Sequence, residues 1–139
     1  MNPYRAYRDQ VVPAWTRIDM LLAAVDGVIE SLTRASSALQ QKDDPAALAA
    51  LARGQVLVLG LASGINLDFE DASSINLLRL YEFVTHSIAS KDPVKLEASL
   101  GVMRTLREGF VAIREEAVGL ERSGAVPPAG AQVMVEATV

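Results

Sequence analysis

The chain has no cysteine, one histidine, one tryptophan and three tyrosines in 139 residues. Without cysteine there is no disulfide framework and no thiolate metal site. With one histidine there is no His-rich ligand set. The nearest candidate, Glu82 with His86, lies one helical turn apart. Carboxylate-bridged di-metal bundles instead need Glu-x-x-His twice, with further carboxylates. No Gly-x-Ser-x-Gly elbow occurs for a serine nucleophile, and no glycine-rich phosphate loop follows a strand. Positive charge is also lacking. The formal net charge of −4 argues against general nucleic-acid binding, which wants a basic face. The most apolar segment, Val56 to Ala62, falls far short of the roughly 20 residues that span a bilayer. No secretory leader is visible at the N-terminus. These absences lead us to expect a soluble, cytoplasmic protein with no catalytic site, no metal and no cofactor.

Apolar residues, by contrast, are plentiful. Half of the chain is hydrophobic, enough for a sizeable core in a single domain. Their spacing is helical. Thr16 is a cap, with Asp19 three residues on. Behind it, Ile18, Leu22, Val25, Ile29, Leu32 and Leu39 recur at three and four, with Leu21 and Val28 widening the stripe. Asp44-Pro45 restarts the chain as cap and first helical residue. The segment from Pro45 to about Leu67 follows, Ala- and Leu-rich and apolar on every side at its centre. Such a helix is expected to be covered on every side. A connection over Asn66 to Ser74 leads to a third helix starting near Ser73 or Ser74. It carries Leu77, Tyr81, Val84 and Ile88 on its main face, Leu78 beside them and Leu80 elsewhere. Asp92-Pro93 repeats the cap-and-proline device. The fourth helix has the stripe Leu96, Leu100, Met103, Leu106, Phe110, Ile113, Ala117 and Leu120, and Gly124 with Pro127-Pro128 stops it.

The expectation is an all-α chain, an antiparallel up-down four-helix bundle with short connections. It divides into an N-terminal arm over 1–15, the bundle over 16–122 and a flexible tail over 123–139. The arm holds Tyr4 and Tyr7 in a stretch that cannot be helical across Pro3. Gly27, Gly54, Gly60, Gly64, Gly101 and Gly109 fall inside expected helices, at a cost of about 1 kcal/mol each relative to Ala. Tight packing within the bundle is their simplest explanation. The second helix, with Leu21, Leu78 and Leu80, supplies more apolar surface than one core uses. Such a surplus marks an interaction site, either for a partner helix in a groove or for self-association.

Several pieces in order resemble the flagellin-specific export chaperones, the FliS family. Asn2-Pro3-Tyr4-Arg5-Ala6-Tyr7 looks like that family's Asn-Pro-Tyr-x-x-Tyr opening. Val12, Thr16, Met20 and Asp26-Gly27 follow its first long helix. Asn76-Leu77-Leu78-Arg79-Leu80-Tyr81 looks like its Asn-Leu-x-x-Leu-Tyr signature, and Leu106-Arg107-Glu108-Gly109-Phe110 like its Leu-Arg-x-x-Trp ending. The chain departs from the pattern at Phe110, at Ala24-Val25 in place of Leu-Tyr, and at Arg17 where proline is frequent. The resemblance covers roughly residues 2–122. It implies a non-enzymatic bundle that binds the disordered C-terminal segment of flagellin, prevents premature polymerisation and delivers the subunit to the flagellar type III export apparatus. The arm would lie on the bundle until flagellin displaces it. The partner-binding residues expected on this basis are Tyr4 and Tyr7 on the arm, Met20 and Leu21 on the first helix, Leu57 and Leu61 on the second, and Leu78 and Tyr81 on the third. The chaperone is expected as a monomer or weak homo-oligomer; a self-associating structural bundle or a regulatory protein-binding module is the alternative.

Overall fold

A computed structural model describes residues 15–65 and 72–125. The arm with Tyr4 and Tyr7, the connection 66–71 and the tail from 126 onward lie outside the described residues. The fold is an all-α four-helix bundle: α1 Arg17–Gln40, α2 Asp44–Ser63, α3 Ala72–Ser90 and α4 Pro93–Arg122.

Each helix begins and ends where side-chain chemistry dictates. The Thr16 hydroxyl donates to the Asp19 carboxylate at 2.9 Å, and the Asp19 amide donates back to the hydroxyl at 3.4 Å. That reciprocal pair satisfies an otherwise orphaned donor at the start of α1. At its end Lys42 turns left-handed, with φ 57. The Lys42 amide then reaches Leu39 O at 3.1 Å and the Asp43 amide reaches Ala38 O at 2.9 Å, the pattern that closes a helix with a left-handed residue. This turn moves the cap of α2 one position upstream of the expected Asp44. Asp43 is the residue left in non-helical conformation, and its Oδ1 accepts from the Ala46 amide at 3.2 Å. The α3–α4 turn repeats the device with Lys91 at φ 56 and Asp92, whose Oδ1 accepts from the Val94 amide at 3.0 Å. Gly124, at φ 81, ends α4 in the same way, with Ala125 N donating to Leu120 O at 3.0 Å. Two boundaries differ from expectation. Helix α2 stops at Ser63, ahead of Leu67, where the Ser63 hydroxyl bonds to Gly60 O at 2.9 Å and Gly64 follows as the cap. Helix α3 starts at Ala72, slightly before Ser73.

The chain divides into two compact units. The larger, Ala23–Gly109, holds most of the core: Val25, Val28 and Leu32 of α1, Val58 of α2, Val84 of α3, and Leu96 and Met103 of α4 are fully buried. Glycines set its closest helix approaches. A Cβ on Gly27 would sit 2.8 Å from Leu57 Cδ1, and one on Gly54 would sit 3.5 Å from Ser31 and 3.6 Å from Ile88. Moving forward along α1 from 27 to 31 therefore moves backward along α2 from 57 to 54, so the two helices are antiparallel. Tight packing accounts for Gly27 and Gly54. It does not account for Gly60, Gly101 or Gly109, where an added Cβ would meet nothing within 4 Å.

The smaller unit comprises Met1–Leu22 and Phe110–Val139. Its described part is held by polar links between antiparallel helix ends. The Arg17 amide donates to the Glu121 carboxylate at 3.2 Å, and Arg114 Nε donates to Asp19 Oδ1 at 2.7 Å. These pairs explain a further difference. The expected stripe of α4 runs through Ile113 and Leu120, yet these are 49% and 45% exposed, while Val118 is buried. One position further along the helix, Arg114 and Glu121 pair with α1 through polar contacts, although Arg114 is itself exposed. The aliphatic neighbours are turned to the rim.

Candidate partner-binding surface

The 20 residues of α2 contain only two charges, Asp44 and Arg53. By length and composition the helix is apolar enough to cross a membrane, and 28% of that stretch is buried. Its buried line is Ala47, Leu51, Gly54, Val58 and Leu61, which recur at four, three, four and three residues, the spacing of one helix face. The expectation that α2 would be covered on every side is therefore not met. Leu48, Ala52, Val56, Leu59 and Ser63 share the opposite face. Val56 is 70% exposed, and Leu48 and Leu59 are about half exposed. The stripe carries no charge, and Gly60, which is exposed beside it, adds no side chain.

On α3, Leu80 and Phe83 are partly exposed three residues apart, and Ile75 is exposed near the helix start. Tyr81 lies between Leu80 and Phe83 in sequence but points into the core at 1% exposure. Burial pushes its phenol up to about 12, because the charged form would have to be held in an apolar interior. Its hydroxyl finds no hydrogen-bond partner among the described residues.

The residues expected to bind a partner are thus distributed over different environments. Leu61 is 8% exposed and Tyr81 is deeper still, so in this structure both belong to the core. Leu57 and Leu78 are half-buried. Leu57 packs toward Gly27. Met20, 47% exposed, and the half-buried Leu21 lie in the smaller unit. Tyr4 and Tyr7 lie outside the described residues. Sequence reasoning missed Leu48, Val56, Leu59 and Phe83. The available signal was the apolar girth of α2: whichever face such a helix leaves outside must be apolar.

Chemically, this surface can bury apolar area and little else. Among the described residues no group of three or more His, Asp or Glu side chains could hold a metal ion. A partner that covered Val56 and Leu59 would gain about 1.5–3 kcal/mol from each fully buried side chain, before the cost of its own ordering. Comparison with curated proteins gives no match. The model of one family, described as flagellar protein FliS, matches residues 1–117.

Proposed function

The chain belongs to the FliS family of flagellar proteins, a family of export chaperones, and we propose that it binds the C-terminal segment of flagellin in the cytoplasm. The bundle over 16–122 is the platform, and the exposed face of α2 is the main apolar track. In this reading the segment is disordered before binding and becomes partly helical on the chaperone. Ordering it costs conformational entropy, so a large wrapped surface is needed to offset that loss. Covering the segment blocks premature polymerisation and leaves a complex that the export apparatus can accept. No catalytic step is required.

The observation that carries this reading is the uncharged stripe Leu48, Val56 and Leu59 on a helix whose opposite face is the core. Contiguous apolar surface of this kind on a soluble domain marks an interaction site, and an amphipathic helix laid along it is the fitting mode. Leu57 and Leu78 of the same unit would add to the apolar surface, and Met20 and Leu21 would contact the segment on the smaller unit. Tyr4 and Tyr7 of the arm over 1–15 would cover part of the apolar surface until flagellin arrives. The tail over 123–139 would stay free.

The test is a calorimetric titration of the full chain with the C-terminal region of flagellin from the same organism. Binding in the micromolar range or tighter is expected. No heat at tens of micromolar removes the reading. Sedimentation over a concentration series then separates a monomer with a free track from a self-associating bundle that uses the same surface. Deleting residues 1–8 should raise affinity or speed association if the arm competes.

A further inference from the structure

Alongside the apolar face of α2 runs a groove of about 520 Å³ between α1 and α2, wholly within the unit Ala23–Gly109. That is within the size of a binding cleft for a few side chains. Ala46, Ala49 and Ala50 supply small-residue walls on the α2 side. Both carboxylates in the groove are already committed. Glu30 holds Arg34 at 2.8 Å, and Asp43 caps α2 through the Ala46 amide at 3.2 Å. Arg53 is different. It also lines the groove, it is exposed, and no other charge occurs between Pro45 and Leu67. Its guanidinium has no ion pair among the described residues. Ser31, 2% exposed, lines the same groove and its hydroxyl has no hydrogen-bond partner among the described residues. The site therefore offers a free five-donor fork and a buried hydroxyl beside small residues, with its own anions spoken for.

We propose that this groove anchors an acidic side chain of the flagellin segment, its carboxylate accepting from Arg53 while the neighbouring residues of the segment lie against Ala46, Ala49 and Ala50. The inference rests on the flagellin reading and adds a register to it. An apolar track alone lets an amphipathic helix slide by a turn. One charge-assisted, two-pronged contact fixes where along α2 the segment sits. Arginine suits this role because its planar fork matches a carboxylate, and as the single cation of α2 it supplies the complementarity.

The test compares flagellin affinity for the full-length wild type, Arg53→Ala, Arg53→Glu and the control Arg104→Ala, an exposed arginine of α4 outside the groove. Arg53→Ala should weaken binding about fivefold, the upper range for a solvent-accessible pair. Arg53→Glu should weaken it further, and Arg104→Ala should leave it unchanged. Changing the acidic residues of the flagellin segment one at a time to arginine should find one position that restores binding to Arg53→Glu and weakens it to wild type. Because Arg53 is exposed, all variants should keep the wild-type melting temperature. Unchanged affinity for both Arg53 variants overturns the inference and leaves the flagellin reading standing, as does equal loss for Arg104→Ala. A wild type that fails to bind flagellin at all removes the reading and the inference together.

Discussion

The outer faces of α2 and α4 present opposite solutions to the same problem. Both helices put one line of residues into the core. On α4 the rest of the circumference carries Lys95, Glu97, Arg104, Glu108, Glu115 and Glu116, and Arg107 and Arg114 are tied to α1 through Asp26 and Asp19. Its exposed Val94 and Val111 sit singly among those charges, which is ordinary for a protein surface. On α2 nothing interrupts the outer stripe. The difference teaches that exposed apolar area matters by contiguity more than by amount. Val94, at 77%, is more exposed than Val56, at 70%, yet only Val56 belongs to a continuous apolar path.

The largest expected effect breaks that comparison directly. Val56→Asp places a charge in the middle of the path and should reduce flagellin affinity by about thirtyfold, the scale of a central contact worth roughly 2 kcal/mol. Val94→Asp should leave affinity unchanged. Titrations of both variants against the same flagellin fragment decide it. Equal losses would mean that the outer face of α2 has no special standing. Both variants should melt like wild type, since neither side chain is buried.

Next in size is a contrast between inner and outer glycines. Gly27 faces Leu57, so Gly27→Val must push a branched side chain into a space where even a Cβ comes within 2.8 Å of a methyl. Overpacking of this kind should cost about 1–3 kcal/mol in denaturant unfolding. Gly60 faces open space. Gly60→Ala should therefore stabilise α2 by up to about 1 kcal/mol through helix propensity. If a partner helix uses the flat surface at Gly60, the same variant binds flagellin more weakly despite being more stable.

How much of this was legible in the sequence depended on whether polar residues marked the phase of each helix. On α1 they did. Asp26, Ser31 and Thr33 stand beside Val25 and Leu32, so the spacing put both on the core face; it also put Ile29 there, which is half-buried, with the fully buried Val28 only widening the stripe. Two caps were legible too, because Thr16 with Asp19 and Asp92 with Pro93 are local chemistry, whereas the cap of α2 fell on Asp43, one residue before the expected Asp44. On α2 the phase could not be read. Leu57, Val58, Leu59 and Leu61 are interchangeable to a periodicity argument, and only the approach of α1 and α3 at Gly54 selects Val58 for the core and Leu59 for the outside. On α4 the error had another source. Ile113 and Leu120 fit the apolar spacing, but Val118 is the apolar residue buried there, and Arg114 and Glu121 make polar pairs with α1. A rule that sends aliphatic residues inward cannot anticipate a polar seam.

Tyr81 offers a smaller effect within the core that underlies the α2–α3 side of the comparison. A buried hydroxyl without a partner costs free energy, and Tyr81→Phe removes it without leaving a cavity. Stabilisation of about 1 kcal/mol is expected by denaturant unfolding. Destabilisation instead would reveal a partner for the hydroxyl beyond the described residues. The pH dependence has a definite sign. The folded phenol is raised to about 12 from 10.0. Its contribution is therefore fully present below about pH 10 and is lost as pH rises toward 12, where the unfolded chain ionises first. The Phe variant should lack that alkaline loss.

The smallest effect belongs to the polar seam of α4. The Arg114 guanidinium, together with the Thr16 hydroxyl, holds the Asp19 carboxyl below its ordinary 3.8. A depressed carboxylate contributes stability above its unfolded pKa and loses it as pH falls through the folded value. The pair is partly solvated, with side chains 46% and 27% exposed, so solvent screening keeps its contribution small. Asp19→Asn should therefore melt slightly below wild type at neutral pH. The gap should close as pH drops below about 3.8, when wild type too becomes protonated. Added salt should shrink the neutral-pH gap and leave the flagellin affinity differences at Val56 in place. A gap that persists unchanged in acid would assign Asp19 to helix capping through Thr16, with the ion pair to Arg114 contributing nothing. The two faces would then differ only in that α4 is dressed with charge, with no part of that charge holding the helix ends together.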